Sequence, residues 1–319
     1  MAIAYRLEFE EPLRQIRQKI QEIRELEDYD SEHAKSEIRR LEEQEQRLRQ
    51  DIYGNLTNWQ RVQMSRHPDR YYTLDYIQAL FTDFVEVHGD RFAGDDPAMI
   101  AGFARFNGLP VAVIGQQKGR DSDSRTYRNY GMANPEGYRK ALRVMRLAEK
   151  FNRPVLTFVD TPGAFPGIEA EKHGQGEAIA VNLREMSSLA VPIVVTIIGE
   201  GGSGGGLGIG VGDRVLMLEN SWYSVIAPES CSTILMKTTD KKDKFAEALK
   251  LSAAELKELG IVDIIIREPQ GGAHENPGQV VFELKKEMAA CLDELRKLPA
   301  QTLVQNRLDS LMKMGRWLE

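Results

Sequence analysis

The segment Gly199-Glu200-Gly201-Gly202-Ser203-Gly204-Gly205-Gly206-Leu207-Gly208-Ile209-Gly210-Val211-Gly212-Asp213 holds nine glycines in the fourteen positions 199–212. A glycine inside a helix costs about 1 kcal/mol relative to alanine. So dense a run is unfavourable unless backbone must approach something closely. Leu207, Ile209 and Val211 alternate with the glycines, which argues for a packed segment rather than a flexible loop. An apolar run, Ile193 to Ile198, comes directly before it. A strand that feeds a glycine-rich helix start presents free backbone N–H groups to an oxyanion or a phosphate. Three chemistries compete for this pattern. Gly199-x-Gly201-x-x-Gly204, with Glu219 downstream, matches a dinucleotide-binding fingerprint, although the stretch before the next strand is short for a crossover. Gly201-x-Ser203-x-Gly205 matches the nucleophile elbow of serine hydrolases, with His173 or His274 as the base. The third is an oxyanion hole with no nucleophile, in which backbone N–H groups do the chemistry.

An oxyanion hole of that kind needs a second loop, and Asp160-Thr161-Pro162-Gly163-Ala164-Phe165-Pro166-Gly167 supplies one after the apolar run that starts near Pro154. Two prolines stiffen it and two glycines let it turn sharply. Adjacent strand ends carrying shaped loops are where open α/β sheets bind ligands. A third segment, Gly115 to Met132, reads as a polar loop. From Lys118 to Lys150 nine basic residues face four acidic ones, a local excess that can steer an anionic, phosphate-bearing ligand. Lys118, Arg120 and Arg128 are its candidate contacts.

The elements that must hold these loops follow from periodicity. Leu13, Ile16, Ile20 and Ile23, then Ala34, Ile38, Leu41, Leu48 and Ile52, each lay a narrow apolar stripe along a helix. Pro12 suits a first helical turn, Asp28 to Ser31 carries turn and N-cap chemistry, and Gly54 ends the second helix. The expectation is a helical hairpin over residues 1–54 that packs on the body or on another chain. From Arg6 to Asp51, 24 of 46 residues are charged, so a solvated arm fits the same pattern. Beyond it, a helix is predicted from Thr73 through Val87. Met99–Phe106 and Val111–Gly115 read as a hairpin about Asn107-Gly108. Helices are expected from Pro135 to Lys150, Gly176 to Leu189, Leu251 to Leu259, Val280 to Leu295 and Val304 to Leu318. Strands are expected at Pro154–Asp160, Pro192–Ile198, Arg214–Leu218, Trp222–Ile226 and Ile261–Ile266. Apolar strands separated by helices indicate an α/β fold with a buried sheet. A strand-loop-helix unit recurs at 154–190 and 192–213.

The 319 residues suffice for one large domain or two small ones. With 42% hydrophobic and 28% charged residues the chain is not globally disordered. No apolar run reaches the ~18–20 residues of a membrane helix. The N-terminal residues lack the features of a signal or transit peptide, which gives an expectation of a soluble cytoplasmic protein. A net charge of −6 argues against non-specific nucleic-acid binding. Cys231 and Cys291 cannot form a disulfide framework or a four-cysteine zinc site, and no metal site is expected in this chain.

Several of these motifs together resemble a known family. Asp160-Thr-Pro-Gly-Ala-Phe-Pro-Gly167, Gly199-Glu-Gly-Gly-Ser-Gly-Gly205 and Gly210-Val-Gly-Asp213 are similar to the carboxyltransferase alpha subunit of bacterial-type, multi-subunit acetyl-CoA carboxylase. So are Gly115-Gln-Gln-Lys-Gly-Arg120, Tyr130-Gly-Met132, Pro135 to Leu142, Asn182-Leu-Arg-Glu-Met186 and Glu268-Pro-Gln-Gly-Gly-Ala-His274, with Arg66-His-Pro68 and Tyr72 to Tyr76 before them. The resemblance spans nearly the whole chain. It implies the crotonase-like (ClpP/crotonase) spiral of ββα units, with an N-terminal helical hairpin (1–54), a carboxyltransferase domain (55–297) and a C-terminal helix (298–319). It implies transfer of a carboxyl group from carboxybiotin, carried on the biotin carboxyl carrier protein, to acetyl-CoA. The product would be malonyl-CoA for fatty acid biosynthesis. It further implies a beta partner with a zinc ribbon, an alpha2beta2 assembly, and association with biotin carboxylase. Zinc is then expected only in the partner. Carried onto this sequence, the alpha-side oxyanion hole falls on Gly204 and Gly205. Gly201, Gly202, Ser203, Gly163, Ala164, Phe165 and Gly167 shape the cleft, and Ser203 is not a nucleophile. The enolate of acetyl-CoA would be held mostly by the partner. A scaffold role, with all chemistry in the partner, stands as the non-enzymatic alternative.

Overall fold

The computed structural model describes residues 7–26 and 30–315. Helix α1 (Glu11–Arg24) carries Pro12 in its first turn and turns Leu13, Ile16 and Ile20 inward. Helix α2 (Glu32–Gly54) is capped by Ser31, whose hydroxyl accepts from the Ala34 N–H at 3.2 Å. Together they form the expected hairpin around Ile16, Ile20 and Leu41. Asp28 and Tyr29 of the expected turn lie outside the described residues, as do Arg316 to Leu318 of the expected last helix.

The body is built on one eight-stranded sheet in the order β1-β2-β3-β4-β5-β6-β8, with β7 paired to β5. Helices α3 (Asn58–Ser65) and α4 (Thr73–Leu80) precede β1 (Thr82–Glu86), β2 (Met99–Phe106) and β3 (Leu109–Gln116). Then come α5 (Ser122–Tyr127), α6 (Pro135–Lys150), β4 (Val155–Thr161), α7 (Ile168–Lys172), α8 (Gln175–Ser188) and β5 (Ile193–Gly202). The chain continues through α9 (Ser203–Leu207), β6 (Arg214–Leu218), β7 (Trp222–Ser224), α10 (Pro228–Met236), α11 (Lys242–Ala248) and α12 (Ala253–Glu258). It closes with β8 (Ile264–Ile266), α13 (Pro277–Leu295) and α14 (Ala300–Met312). Strands β1 to β3 are antiparallel, and β3-β4-β5-β6-β8 run parallel. Every residue of β4 and β5 is buried, so their continuous apolar runs face helices on both sides. One core packs α6 and α8 on the sheet; the other packs α4 and α13 on its opposite face.

The helix expected from Thr73 to Val87 breaks at Leu80. Phe81 is extended, and Thr82–Glu86 pairs with β2 instead. An open edge on β2 recruits this segment, and pairing across it overrides the helical spacing. Strand β5 runs four residues beyond Ile198, carrying the first glycines of the rich segment into the sheet. Strands β7 and β8 are shorter than expected. Helix α5 interrupts the polar segment 115–132, and α10 and α11 fill 228–248, where no element was expected. In the second strand-loop-helix unit the helix is only α9, five residues long.

Candidate active site at the ends of strands β4 and β5

Parallel pairing places Thr161, at the end of β4, beside Gly201 in β5. The 162–167 loop and the start of α9 therefore emerge side by side. They touch: a Cβ on Gly202 would stand 2.1 Å from the Pro162 carbonyl oxygen. One on Gly205 would stand 2.3 Å from the Gly163 carbonyl carbon and 2.5 Å from the Ala164 nitrogen. These two glycines are thus required by contact of backbone with backbone. Gly204 differs, since a Cβ there would meet only the Ile179 side chain, at 3.4 Å. The N–H groups in the first turn of α9 have no intrahelical acceptor. Those of Gly204 and Gly205 find no acceptor elsewhere among the described residues.

The second loop is anchored in itself and to its neighbours. Thr161 Oγ1 donates to the Gly163 carbonyl at 2.6 Å and accepts from its N–H at 3.1 Å. The Phe165 N–H donates to the Ala133 carbonyl, and Gln175 Nε2 donates to the carbonyls of both Ala133 and Phe165. The Phe165 ring folds over Gly167, leaving no space for a side chain there. The structure thus brings Gly201 to Gly205 together with Gly163, Ala164, Phe165 and Gly167.

Beneath the two loops lies a buried ion cluster. Lys118 Nζ sits 2.7 Å from Asp160 Oδ1 and 2.6 Å from Glu200 Oε2. Arg66 Nε binds the other Glu200 oxygen at 2.7 Å and reaches Glu229 through a second nitrogen. The Glu200 N–H donates to Asp160 Oδ1 at 2.9 Å, so one carboxylate ties the ends of β4 and β5 together. Burial alone would raise the Glu200 carboxyl, but Lys118 and Arg66 outweigh it and hold it at about 2. Asp160 is pushed up by burial, which outweighs its pairing with Lys118, and Glu200 lies close by. Burial opposes the charge on Lys118, and the two carboxylates overcome it and raise its pKa. Arg120 donates to the carbonyls of Pro68 and Arg70 and pairs with Asp75. Arg128 donates to the Pro97 carbonyl at 2.6 Å. Of the basic trio, Lys118 alone joins the two loops. Glu200 and Arg66 were not singled out from sequence as site residues, and Asp160 only as the first residue of the second loop. The available signal was a carboxylate ending each of two apolar strands, which demands a buried partner.

The geometry weighs against two of the competing chemistries. Ser203 has φ 52°, and it stands on the strand-to-helix turn that a nucleophile elbow uses. Its hydroxyl has no histidine partner. His173 Nδ1 lies 2.8 Å from Glu136, and the His274 ring stacks on His67 at 3.7 Å. The dinucleotide reading fails as well. Helix α9 is too short for a crossover helix, and Glu219 is bound to Arg267 and the Glu268 N–H. The pair of uncommitted N–H donors keeps the third chemistry open. Among the described residues no group of three His, Cys, Asp or Glu side chains could hold a metal ion. No helix among them is long and apolar enough to cross a membrane.

A family model described as acetyl co-enzyme A carboxylase carboxyltransferase-like matches residues 6–315. A protein of Geobacter metallireducens named acetyl-coenzyme A carboxylase carboxyl transferase subunit alpha is 54% identical over 319 residues, covering 100% of both chains. The chain belongs to the carboxyltransferase alpha-subunit family of acetyl-CoA carboxylase. A Thiobacillus denitrificans protein of the same name is 54% identical over 313 residues, with 98% of this chain and 97% of the relative covered. Among solved structures, a Pseudomonas malonate decarboxylase hetero-tetramer in complex with coenzyme A aligns with TM-score 0.59 and 16% identity. That alignment covers 76% of this chain and 94% of the neighbour. The transcarboxylase 12S core aligns with TM-score 0.58 and 20% identity, over 70% of this chain and 41% of the longer neighbour. These likenesses carry the fold: the family's crotonase-like spiral is the architecture described above.

Proposed function

We propose that this chain is the alpha half of a two-chain carboxyltransferase. With a beta subunit it moves the carboxyl group from carboxybiotin, borne by the biotin carboxyl carrier protein, to acetyl-CoA, giving malonyl-CoA for fatty acid biosynthesis. The observation that carries this reading is the pair of touching loops, with the Gly204 and Gly205 N–H groups uncommitted among the described residues. Carboxybiotin, the arriving substrate, supplies the carboxyl group and leaves negative charge on its ureido oxygen. The two N–H groups would hold that oxygen. Fixed donors in a site closed to water stabilise such charge without reorganising, and losing one typically costs about 10²–10³-fold in rate. The 162–167 loop buttresses α9 from the side through Gly163 and Ala164. The Lys118 cluster holds the two strand ends in register. Ser203 takes no proton in this scheme; the proton lost from the acetyl-CoA methyl group goes to the biotin nitrogen that gave up the carboxyl group.

In this reading residues 1–54 form a packing arm, 55–297 the catalytic body and 298–319 a closing helix. The enzyme is a cytoplasmic alpha2beta2 assembly working with biotin carboxylase. The zinc ribbon and the enolate-holding groups belong to the beta partner, and Arg120 and Arg128 give the rim its positive field for coenzyme A, Lys118 being engaged by Asp160 and Glu200. The test mixes the chain with a zinc-ribbon beta partner, biotinylated carrier and malonyl-CoA, and follows release of acetyl-CoA. Turnover is expected only with both chains present. Ester hydrolysis by this chain alone would overturn the reading, and so would a stable complex that releases no acetyl-CoA.

A further inference from the structure

Gln116 is the last residue of β3 and is wholly buried. Its side-chain amide lies between the two loops. Nε2 donates to the Gly205 carbonyl at 2.9 Å, and Oε1 accepts from the Asp160 N–H at 3.1 Å. The backbone of Gln116 is itself fixed. It pairs with Met99 in the β2–β3 ladder, and its carbonyl accepts from the Thr73 hydroxyl. The amide therefore reaches from a rigid strand to the root of each loop.

Helix α9 needs such a tether. It has five residues, three of them glycine, and a single turn of that composition has little rigidity of its own. Its hydrogen bonds also leave the Gly205 carbonyl over. The Gly208 N–H goes to Gly204, the Ile209 N–H to Gly206 and the Gly210 N–H to Leu207. The donors that reach the Gly205 carbonyl are Gln116 Nε2 and, at 3.4 Å, the Tyr138 hydroxyl. On the other side Asp160 opens the second loop and enters the Lys118 cluster. Position 116 must donate at one end and accept at the other. A neutral amide does both. A carboxylate cannot donate, and a thioether of the same length offers neither strong donor nor strong acceptor.

We propose that Gln116 is a positioning residue for carboxyl transfer: it sets the register of α9 against the 162–167 loop, and so the aim of the Gly204 and Gly205 N–H groups. The proposal rests on the oxyanion-hole reading above. A displacement of about 1 Å in such a site can cost about 10²-fold in rate.

The test uses the assembled complex with the beta partner. Gln116→Met is expected to lower kcat by about 10²-fold, with KM for malonyl-CoA within about twofold of the parent and complex formation unchanged. Gln116→Asn, which keeps the amide but is one methylene shorter, is expected to fall between Gln116→Met and the parent. Gly204→Pro is measured alongside, because it removes the N–H itself at a position in the first helical turn. If Gly204→Pro transfers normally, the oxyanion-hole reading fails. If Gly204→Pro is impaired but both Gln116 variants keep kcat within about threefold, the positioning role alone is overturned. A parallel loss of kcat, KM and complex formation would also overturn it, since that marks a general structural role. If Gln116→Met does not fold, Gln116→Asn decides by the same criteria.

Discussion

The N-terminal hairpin and the sheet body use the same charged residues to opposite effect. In the hairpin, Arg17 meets Glu45 at 2.6 Å and Arg24 meets Glu42 at 2.9 Å, with both arginine side chains half exposed. Ile16, Ile20 and Leu41 form the buried cluster between the helices, and a further tie, Arg49 to the Gln270 carbonyl at 2.7 Å, reaches the body. In the body, Arg307 is 1% exposed. It grips both oxygens of Asp213 and the carbonyls of Met186, Leu189 and Val191. Arg70 binds Glu268 through two nitrogens and the Ile198 carbonyl through one of them. Exposed pairs contribute roughly 0–1 kcal/mol, whereas removing one member of a buried pair costs about 3–5 kcal/mol. Charge in the hairpin keeps an arm soluble. Charge in the body fixes the ends of strands, and those ends carry the site.

The sharpest way to break this contrast is at Arg307. Arg307→Met would strip Asp213 of its cation and leave three carbonyls without their donor. Helix α14 would then lose its hold on the segment that follows the glycine run. We expect a loss of about 3–5 kcal/mol in urea unfolding, and a loss below about 1 kcal/mol would show that buried and exposed arginines are not distinct here.

Next come the paired glycines, which separate structure from chemistry within one turn. Gly205→Val is expected to abolish transfer, because its side chain must displace the Gly163–Ala164 backbone. That loss arrives with a drop in melting temperature. Gly204→Ala keeps its backbone N–H and makes only ordinary contact with Ile179, so the melting temperature and kcat should both stay near those of the parent. A fall in kcat of about tenfold at unchanged melting temperature would place the added methyl group against the substrate.

The same distinction explains what was legible in the sequence. The apolar runs of β4 and β5 gave their strands directly, because a strand buried on both faces needs no alternation. The Asn107-Gly108 hairpin was equally plain, since its turn chemistry is local. The loops of the site were marked by glycine and proline. Their supports were not. Gln116, Asp160, Glu200 and Arg66 come from four elements, and only the parallel register brings them together. For Lys118 the expectation from local charge was an anion contact at the rim. Its position between two buried carboxylates depends on strand order, which no local pattern contains. The β1 segment failed for a related reason: its partner edge lies on a different strand.

Acid tests the body in a graded way. Burial holds His67 and His274, ordinarily 6.5, down at about 4. Between those values the unfolded chain binds protons that the folded chain refuses. Stability is therefore full above about pH 6.5 and falls as the pH drops toward 4. Asp96, pushed up to about 6 by burial, opposes this, because the folded form takes its proton first as the pH falls below 6. With two histidines against one carboxyl, the melting temperature is expected to fall between pH 7 and 5. His274→Phe, which keeps a ring for His67 to stack on, should flatten the slope; an unaltered slope would place the acid sensitivity elsewhere.

Ser203→Ala should change little. The hydroxyl has no histidine base, so kcat is expected to stay within about threefold of the parent. A thousandfold loss with the fold intact would restore the elbow chemistry that its φ of 52° invites. Alanine also bears the left-handed backbone, so any modest loss of stability reports strain there rather than catalysis.

The smallest effect belongs to the hairpin. Arg24→Ala removes an exposed partner of Glu42, and double-mutant measurements on such pairs give a few tenths of a kcal/mol. We expect a stability change within about 0.5 kcal/mol and no change in transfer, both lost in the noise above about 0.2 M salt because the pair is screened. The value of so small an effect lies in its partner experiment. If Arg24→Ala and Glu42→Ala leave the isolated chain unchanged but weaken assembly with the beta subunit, the arm's charges serve a chain-to-chain contact. If assembly is also untouched, the arm is solvated along this face, and its apolar stripe alone holds the two helices together.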